Sequence, residues 1–434
     1  MGDYALLRGT VLQCGRDLDY TNDGDGITWR ESIALFKEAH DYSLSVFDNR
    51  IVHPLRIRTD TRIDCAGCVI APALIEMQCN GALGYDFSSG NVTEEAMDEI
   101  AHWFVRQGVG LVLPTVISGT PDEMLRAIGS VRPQSFKQGS LARTVFRGVH
   151  VEGPDIGFPG AHRTTREVHA REFSHWRELL GENLLLYTGD PTRRSYRNIV
   201  GRFGQSDEHA VFACSHTNPN MNAWELGNDI NAFQEFKQYG GRIAIHVGNA
   251  HPPTVSKFNL GYIGYMLGDD DIWITLICDG YHIDPVGIKV MIRAKGFGRT
   301  ILATDMMAAT GKGPGTYPLG GGAVEIKEGD KVAWLNREAR TFAGSILTPL
   351  QQVVNAQKFA LIPLSAAWPM ASLNPACALR IPYWGALVPG WRASLTVLKV
   401  EQERNHLEVL GTMIDGKWCY TSDELVERGA PRVS

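Results

Sequence analysis

At 434 residues the chain exceeds the size at which a single hydrophobic core stops growing, so a large domain with a smaller companion is the first expectation. Hydrophobic residues at 44% and charged residues at 21% give an ordinary globular balance, and a net charge of −6 excludes the basic field of a dedicated nucleic-acid binder. No apolar run approaches the roughly 18 residues of a membrane span, and eight scattered cysteines without a secretory signal point to reduced thiols in the cytoplasm.

In chain order, Met1–Gly15 alternates like a strand rather than a signal peptide. Leu6 stands where myristoylation needs Ser or Thr. Asp19–Gly26 has acidic spacing but lacks a glutamate at the twelfth position of a calcium loop, and reads as a solvated turn. Leu44–Arg58 favours strand. Cys65-Ala-Gly-Cys68 is the single CxxC, and with no second pair to complete a tetrahedral site it reads as structural. Short apolar runs then alternate with helix-length stretches. The strands are read at Val69–Met77, Leu111–Val116, Phe146–Val151, Leu184–Thr188, Val211–Ser215, Ile243–Val247, Ile274–Cys278 and Ile301–Thr304. Such nearly all-apolar strands suit a parallel sheet covered on both faces. Thr120-Pro121-Asp122-Glu123 offers an N-cap, a proline at the first helical position and a capping-box glutamate. Met221–Tyr239 and Asp284–Lys295 have helical length and period. Gly311-Lys312 is no phosphate loop, because Gly313 occupies the Ser/Thr position. Gly320–Gly344 reads as a hairpin insertion, Ser345–Leu379 as a helical return, and Ser394–Val400 and Leu407–Ile414 as strands.

Eight strand–helix units predict an α/β fold, a closed (β/α)₈ TIM-like barrel over residues 69–380. Residues 1–68 and 381–434 are expected to meet as a small β-sandwich built from both chain ends.

The ends of the strands carry the chemistry, because a barrel gathers its carboxyl-terminal strand ends at one mouth. The first strand ends in Gln78-Cys79-Asn80 and the third in His150-Val151-Glu152. The fifth leads to His216, the sixth to His246-Val247-Gly248-Asn249-Ala250-His251, the seventh to Asp279-Gly280-Tyr281-His282, and the eighth to Asp305. Glu152, His216 and His246 form a two-histidine, one-carboxylate set suited to Zn²⁺ or another first-row divalent ion, with a position open for water. Bound there, the ion lowers the pKa of water from about 16 towards about 7. Asp305 is the candidate for moving the water's proton to the leaving amine.

With these residues in view, the chain resembles the N-acetylglucosamine-6-phosphate deacetylases of the amidohydrolase superfamily. The resemblance is carried by Ala71-Pro72-Ala73-Leu74-Ile75-Glu76, Gly148-Val149-His150-Val151-Glu152-Gly153-Pro154, Gly160-Ala161-His162 and Ser215-His216-Thr217. It continues through Asn249-Ala250, Asp279-Gly280-Tyr281-His282, Ala303–Gly311, Gly344–Thr348, Leu373–Ala376 and Val388-Pro389-Gly390. It implies a β-sandwich beside a barrel and deacetylation of N-acetyl-D-glucosamine 6-phosphate in a homodimer. One divalent ion per subunit is implied, zinc first, with iron, manganese and cobalt as alternatives. Glu152, His216 and His246 would ligate it, Asp305 would act as general acid and base, and His162 would polarise the acetyl carbonyl. His282 and the backbone at Asn249-Ala250 would hold the sugar and its phosphate.

The chain departs from the pattern twice. Gln78-Cys79-Asn80 replaces the His-x-His that brings a second metal in many superfamily members, which favours a single ion and reads Cys79 as a packed thiol, with ligation of a second ion as the alternative. The family's phosphate-contacting arginine falls where Ser256-Lys257-Phe258-Asn259 stands. Lys257 offers a point charge instead of a planar two-pronged contact, and His251, in place of the usual methionine, would donate to phosphate in compensation. The alternative readings are a deacetylase of an unphosphorylated or differently acylated amino sugar, and a sugar-phosphate-binding protein on a retired enzyme scaffold.

Overall fold

The computed structural model describes residues 4–14, 21–22, 27–28, 36–52, 61–222, 225, 227–251, 256, 259–339, 341–401 and 406–433. Lys257, the Asp19–Gly26 turn and the end of the Leu44–Arg58 run lie outside them, wholly or in part.

The amino-terminal strands are β1 (Tyr4–Cys14), β2 (Phe36–Phe47), β3 (Arg50–Val52), β4 (Arg62–Asp64) and β5 (Cys68–Pro72). Eight strands follow in parallel, each paired to the next: β6 (Leu74–Cys79), β7 (Val109–Ile117), β8 (Gly148–Glu152), β9 (Leu184–Gly189), β10 (Ala210–Cys214), β11 (Gly241–Ala244), β12 (Trp273–Leu276) and β13 (Thr300–Leu302). β7 is buried at every position, as a strand covered on both faces must be. Helices intervene, including α1 (Glu94–Val105), α2 (Pro121–Val131), α3 (Leu141–Val145), α4 (Ala170–Leu180), α5 (Arg194–Phe203), α6 (Ile230–Gln238), α7 (Gly261–Gly268) and α8 (Pro285–Lys295). The capping box at α2 forms as the sequence predicts: the Thr120 hydroxyl accepts the Glu123 N–H while the Glu123 carboxylate accepts the Thr120 N–H at 2.8 Å.

Between β13 and β6 the barrel closes without a regular ladder. Cys79 and Met306 form an isolated parallel bridge, and the Glu76 carboxylate accepts the N–H of Thr304 at 3.2 Å, a side chain standing in for a strand partner. Burial pushes the Glu76 carboxyl up to about 8.

Two hairpins follow, β14–β15 (Gly315–Leu319, Gly322–Ile326) and β16–β17 (Val332–Asn336, Thr341–Ser345), then α9 (Pro349–Ala360) on the return path. The carboxyl-terminal strands β18 (Leu395–Glu401), β19 (His406–Ile414) and β20 (Lys417–Thr421) join the amino-terminal ones in one sheet of order β20-β19-β18-β5-β1-β2-β3, with β4 also paired to β1. This sheet folds over its own core. Tyr4 on β1 meets Trp418 on β20 edge to face at 6.2 Å, although three strands separate them in the hydrogen-bonded order. Asp415 ties the sheet to the barrel by accepting from Arg147 at 2.8 Å and Arg392 at 3.0 Å.

Three elements differ from expectation. The hairpin insertion read at Gly320–Gly344 is two hairpins, the first beginning at Gly315. The apolar run Val69–Met77 is two strands: it leaves the end sheet at Pro72 and enters the barrel at Leu74. The helix expected from Met221 begins at Ile230, because Asn220 and Asp229 close a loop on each other. The Asn220 N–H donates to the Asp229 carboxylate, and the Asp229 N–H to the Asn220 carbonyl, both at 2.7 Å.

Candidate active site

Glu152 is the last residue of β8, His216 and His246 lie two residues beyond β10 and β11, and Asp305 lies three beyond β13. All four meet in a cavity of about 540 Å³ that also takes in Asn80, His162, Asn249, Ala250 and His282. His216, His246, Ala250 and Asp305 each have positive φ, between +36° and +53°. Such backbone is uncommon outside glycine and concentrates where a site dictates the geometry. Here it turns each chain sharply at the strand end, so that the side chain faces the mouth.

Glu152 is the hub. Its Oε1 lies 3.0 Å from His246 Nε2 and 3.4 Å from His216 Nε2, and its Oε2 lies 3.9 Å from His162 Nε2. Burial pulls the Glu152 carboxyl up, but the hydrogen bonds and charge of His216 and His246 outweigh it and hold the group well below the usual carboxylate range. His246 also feels burial first, which lowers it, and the Glu152 carboxylate raises it on balance. Burial, followed by the negative charge of Glu152, pushes Asp305 up to about 6.

Three imidazoles surround one carboxylate, and one donor atom from each of Glu152, His162 and His216 fits within a 4.8 Å cluster. Tautomers decide which rings can hold a cation. His162 Nδ1 accepts the backbone N–H of Ser118 at 3.3 Å and lies 2.7 Å from the Ser118 hydroxyl. Burial and the neighbouring His216 bring His162 down to about 3, so the ring is neutral and its proton sits on Nε2. That nitrogen is a donor aimed into the cavity, suited to a carbonyl oxygen. His216 is the reverse: its Nδ1 donates to the Phe158 carbonyl at 2.8 Å, so Nε2, which points at Glu152, is the nitrogen that gives up its proton to hold an ion. His246 Nδ1 rests against the Ser215 hydroxyl at 3.2 Å with Nε2 towards Glu152. A carboxylate and two imidazole lone pairs therefore fit a first-row divalent ion, and His162 fits a role beside it.

Gln78 and Asn80 leave a gap of the same kind. Their amide nitrogens donate to Glu152 at 3.2 Å and Asp305 at 2.7 Å, while their carbonyl oxygens are buried without partners. Asn80 lines the cavity, and a buried acceptor left without a partner there fits a site that takes a further polar group. Cys79 differs: its thiol points to the Gly81 carbonyl at 3.6 Å, and burial holds it well above the usual thiol range, so it packs as a neutral group.

The outer wall was not legible in the sequence. Ile117, Phe158, Leu319, Phe342 and Ala343 line it, three of them from the hairpins after β13. Phe342 covers the His282 ring at 4.6 Å and is backed by Trp334 at 4.8 Å. Asp279 Oδ2 lies 2.6 Å from His282 Nδ1, which leaves Nε2 for a ligand. His251 is turned away from the cavity. Its Nε2 accepts the Gly248 N–H at 3.1 Å and its ring packs on Tyr262 at 4.9 Å, so that nitrogen cannot donate to a phosphate.

No family model matches the chain. Curated relatives do: the N-acetylglucosamine-6-phosphate deacetylase of Haemophilus influenzae is 26% identical over 368 residues, spanning 82% of this chain and 88% of that protein. The bovine deacetylase of the same name is 28% identical over 375 residues, spanning 84% and 87%. The chain is similar to these N-acetylglucosamine-6-phosphate deacetylases over most of its length. The crystal structure of such a deacetylase from Pasteurella multocida superposes with a TM-score of 0.78 at 21% identity over 96% of this chain and 99% of that one, in agreement with the barrel and its end sheet.

Proposed function

We propose that the chain hydrolyses the acetamide of N-acetyl-D-glucosamine 6-phosphate to D-glucosamine 6-phosphate and acetate. The observation that carries this reading is the convergence of Glu152, His216, His246 and Asp305 on one cavity, with the Nε2–H of His162 aimed into it. Glu152, His216 and His246 would hold one divalent ion, zinc first among the first-row metals. Such an ion supplies Lewis acidity and a water acidic enough to lose a proton near neutrality. His162 donates its Nε2–H to the acetyl oxygen and stabilises the charge that develops there. Asp305, oriented by Asn80, takes the proton of the attacking water and returns it to the departing amine. His282, fixed by Asp279 and Phe342, and the backbone at Asn249-Ala250 hold the sugar. The protein is read as a cytoplasmic homodimer, its barrel at residues 69–380 between the two arms of the end domain at 1–68 and 381–434. Among the described residues no helix is long and apolar enough to cross a membrane.

One observation favours a second reading for the outer end of the substrate. Among the described residues lining the cavity none is Lys or Arg, so the described wall offers a 6-phosphate no side-chain cation. Acetate release from N-acetylglucosamine 6-phosphate and from free N-acetylglucosamine separates the two. A kcat/KM at least about tenfold higher for the phosphorylated sugar, roughly 1.4 kcal/mol of transition-state binding, is expected. Equal or reversed preference moves the assignment to an unphosphorylated amino sugar.

A further inference from the structure

His216 is held in place by groups outside the set proposed to ligate the ion. Its carbonyl accepts the N–H groups of Gly157 and Phe158 at 2.9 and 2.7 Å, and the Phe158 carbonyl in turn accepts from the His216 ring. The next residue, Thr217, is fully buried, and its hydroxyl donates to Asp190 Oδ1 at 2.6 Å. That oxygen also accepts the N–H and the hydroxyl of Thr192, both at 2.8 Å. Asp190 follows the last residue of β9, so one carboxylate ties the end of β9 to the end of β10. Its other oxygen faces the loop that carries His162: a Cβ on Gly157 would lie 2.3 Å from Asp190 Oδ2. Buried polar groups fully engaged in this way specify one arrangement of the chain.

We propose that Asp190 and Thr217 form a clamp that sets the affinity of the metal site through His216. With φ at +51°, His216 sits in left-handed backbone that is uncommon outside glycine. The Gly157 and Phe158 N–H groups fix its carbonyl, and Thr217 fixes the chain immediately after it. Release of Thr217 leaves the residue free to relax, and the Nε2 lone pair swings off the point it shares with Glu152 and His246. The same clamp seats the Gly157–Phe158 segment, so His216 and the start of the His162 loop form one rigid unit.

The proposal rests on the metal reading above, and its test separates the two. The dissociation constant for Zn²⁺ is measured by competition with a chromophoric chelator on the wild type, Thr217→Val and Thr217→Ser, beside the melting midpoint of each metal-free protein. Thr217→Val is expected to weaken metal binding about 10–100-fold, the usual consequence of losing a group behind a ligand, while Thr217→Ser, which keeps the hydroxyl, stays within about threefold. At saturating metal kcat falls and KM holds. Gly157→Ala presses on Asp190 from the loop side and is expected to weaken binding in the same way, and it carries the test if Thr217→Val does not fold. A folded Thr217→Val or Gly157→Ala protein that binds Zn²⁺ within about twofold of wild type overturns the clamp alone. A wild-type chain that takes up no divalent ion overturns the metal reading and the clamp together.

Discussion

Replacing Asp305 with Asn should separate activity from stability in opposite directions. The substitution keeps the side chain's shape and its Oδ1, so the 2.7 Å hydrogen bond from Asn80 survives. It removes proton transfer, a contribution of about 10²–10⁴-fold in rate, or roughly 3–5 kcal/mol. It also removes a charge that the folded protein accommodates poorly. Burial and the Glu152 carboxylate raise Asp305 from 3.8 to about 6 in the metal-free protein. The folded state therefore binds more protons than the unfolded state between those values, and wild-type stability falls as pH rises through that window. The difference of about two pKa units corresponds to at most about 3 kcal/mol. Because Asp305 opens on the cavity, water there screens the charge, and roughly 1–2 kcal/mol is expected. Chemical denaturation of both metal-free proteins should give equal stability below pH 4 and a more stable Asp305→Asn above pH 6. Acetate release by the metal-loaded variant should fall at least about a hundredfold. A variant that keeps a tenth of the turnover would refute the role assigned to Asp305, and one less stable than wild type at pH 8 would refute its electrostatics.

The three imidazoles around Glu152 should behave differently on truncation. His216→Ala and His246→Ala are expected to lose bound metal by elemental analysis, whereas His162→Ala keeps it and loses kcat. Metal lost with His162 and retained without His246 would reverse the tautomer assignment. Thr120 does not itself line the cavity, and Thr120→Ala, which removes the capping-box hydroxyl of α2, should cost about 1 kcal/mol in a denaturant titration, with activity unchanged.

Much of this architecture is written in the order of residues along the chain. Buried parallel strands are apolar at nearly every position, so β7 through β13 stood out. Their carboxyl ends showed Glu152, His216, His246 and Asp305 because a barrel sends those ends to one rim. The β5–β6 break was hidden for the same reason: Cys68–Pro72 and Leu74–Cys79 are both apolar, and nothing in composition marks the change of sheet at Ala73. Contacts between residues distant in sequence left no trace. Ser118 fixes the tautomer of His162 from 44 residues away, and Phe342 reaches His282 from a hairpin that sequence pattern places only as an insertion. His251 adjoins Asn249-Ala250 in the sequence, and nothing in that pattern shows that Gly248 engages its Nε2 and Tyr262 its ring.

The most direct test of the central claim measures metal content and acetate release on the same sample. Purified protein is assayed with N-acetylglucosamine 6-phosphate as isolated, after complete chelation, and after Zn²⁺ is restored. About one divalent ion per chain is predicted, with acetate release abolished by chelation and recovered on reloading. Full turnover by protein stripped of metal, or no acetate from the fully loaded protein, would contradict it.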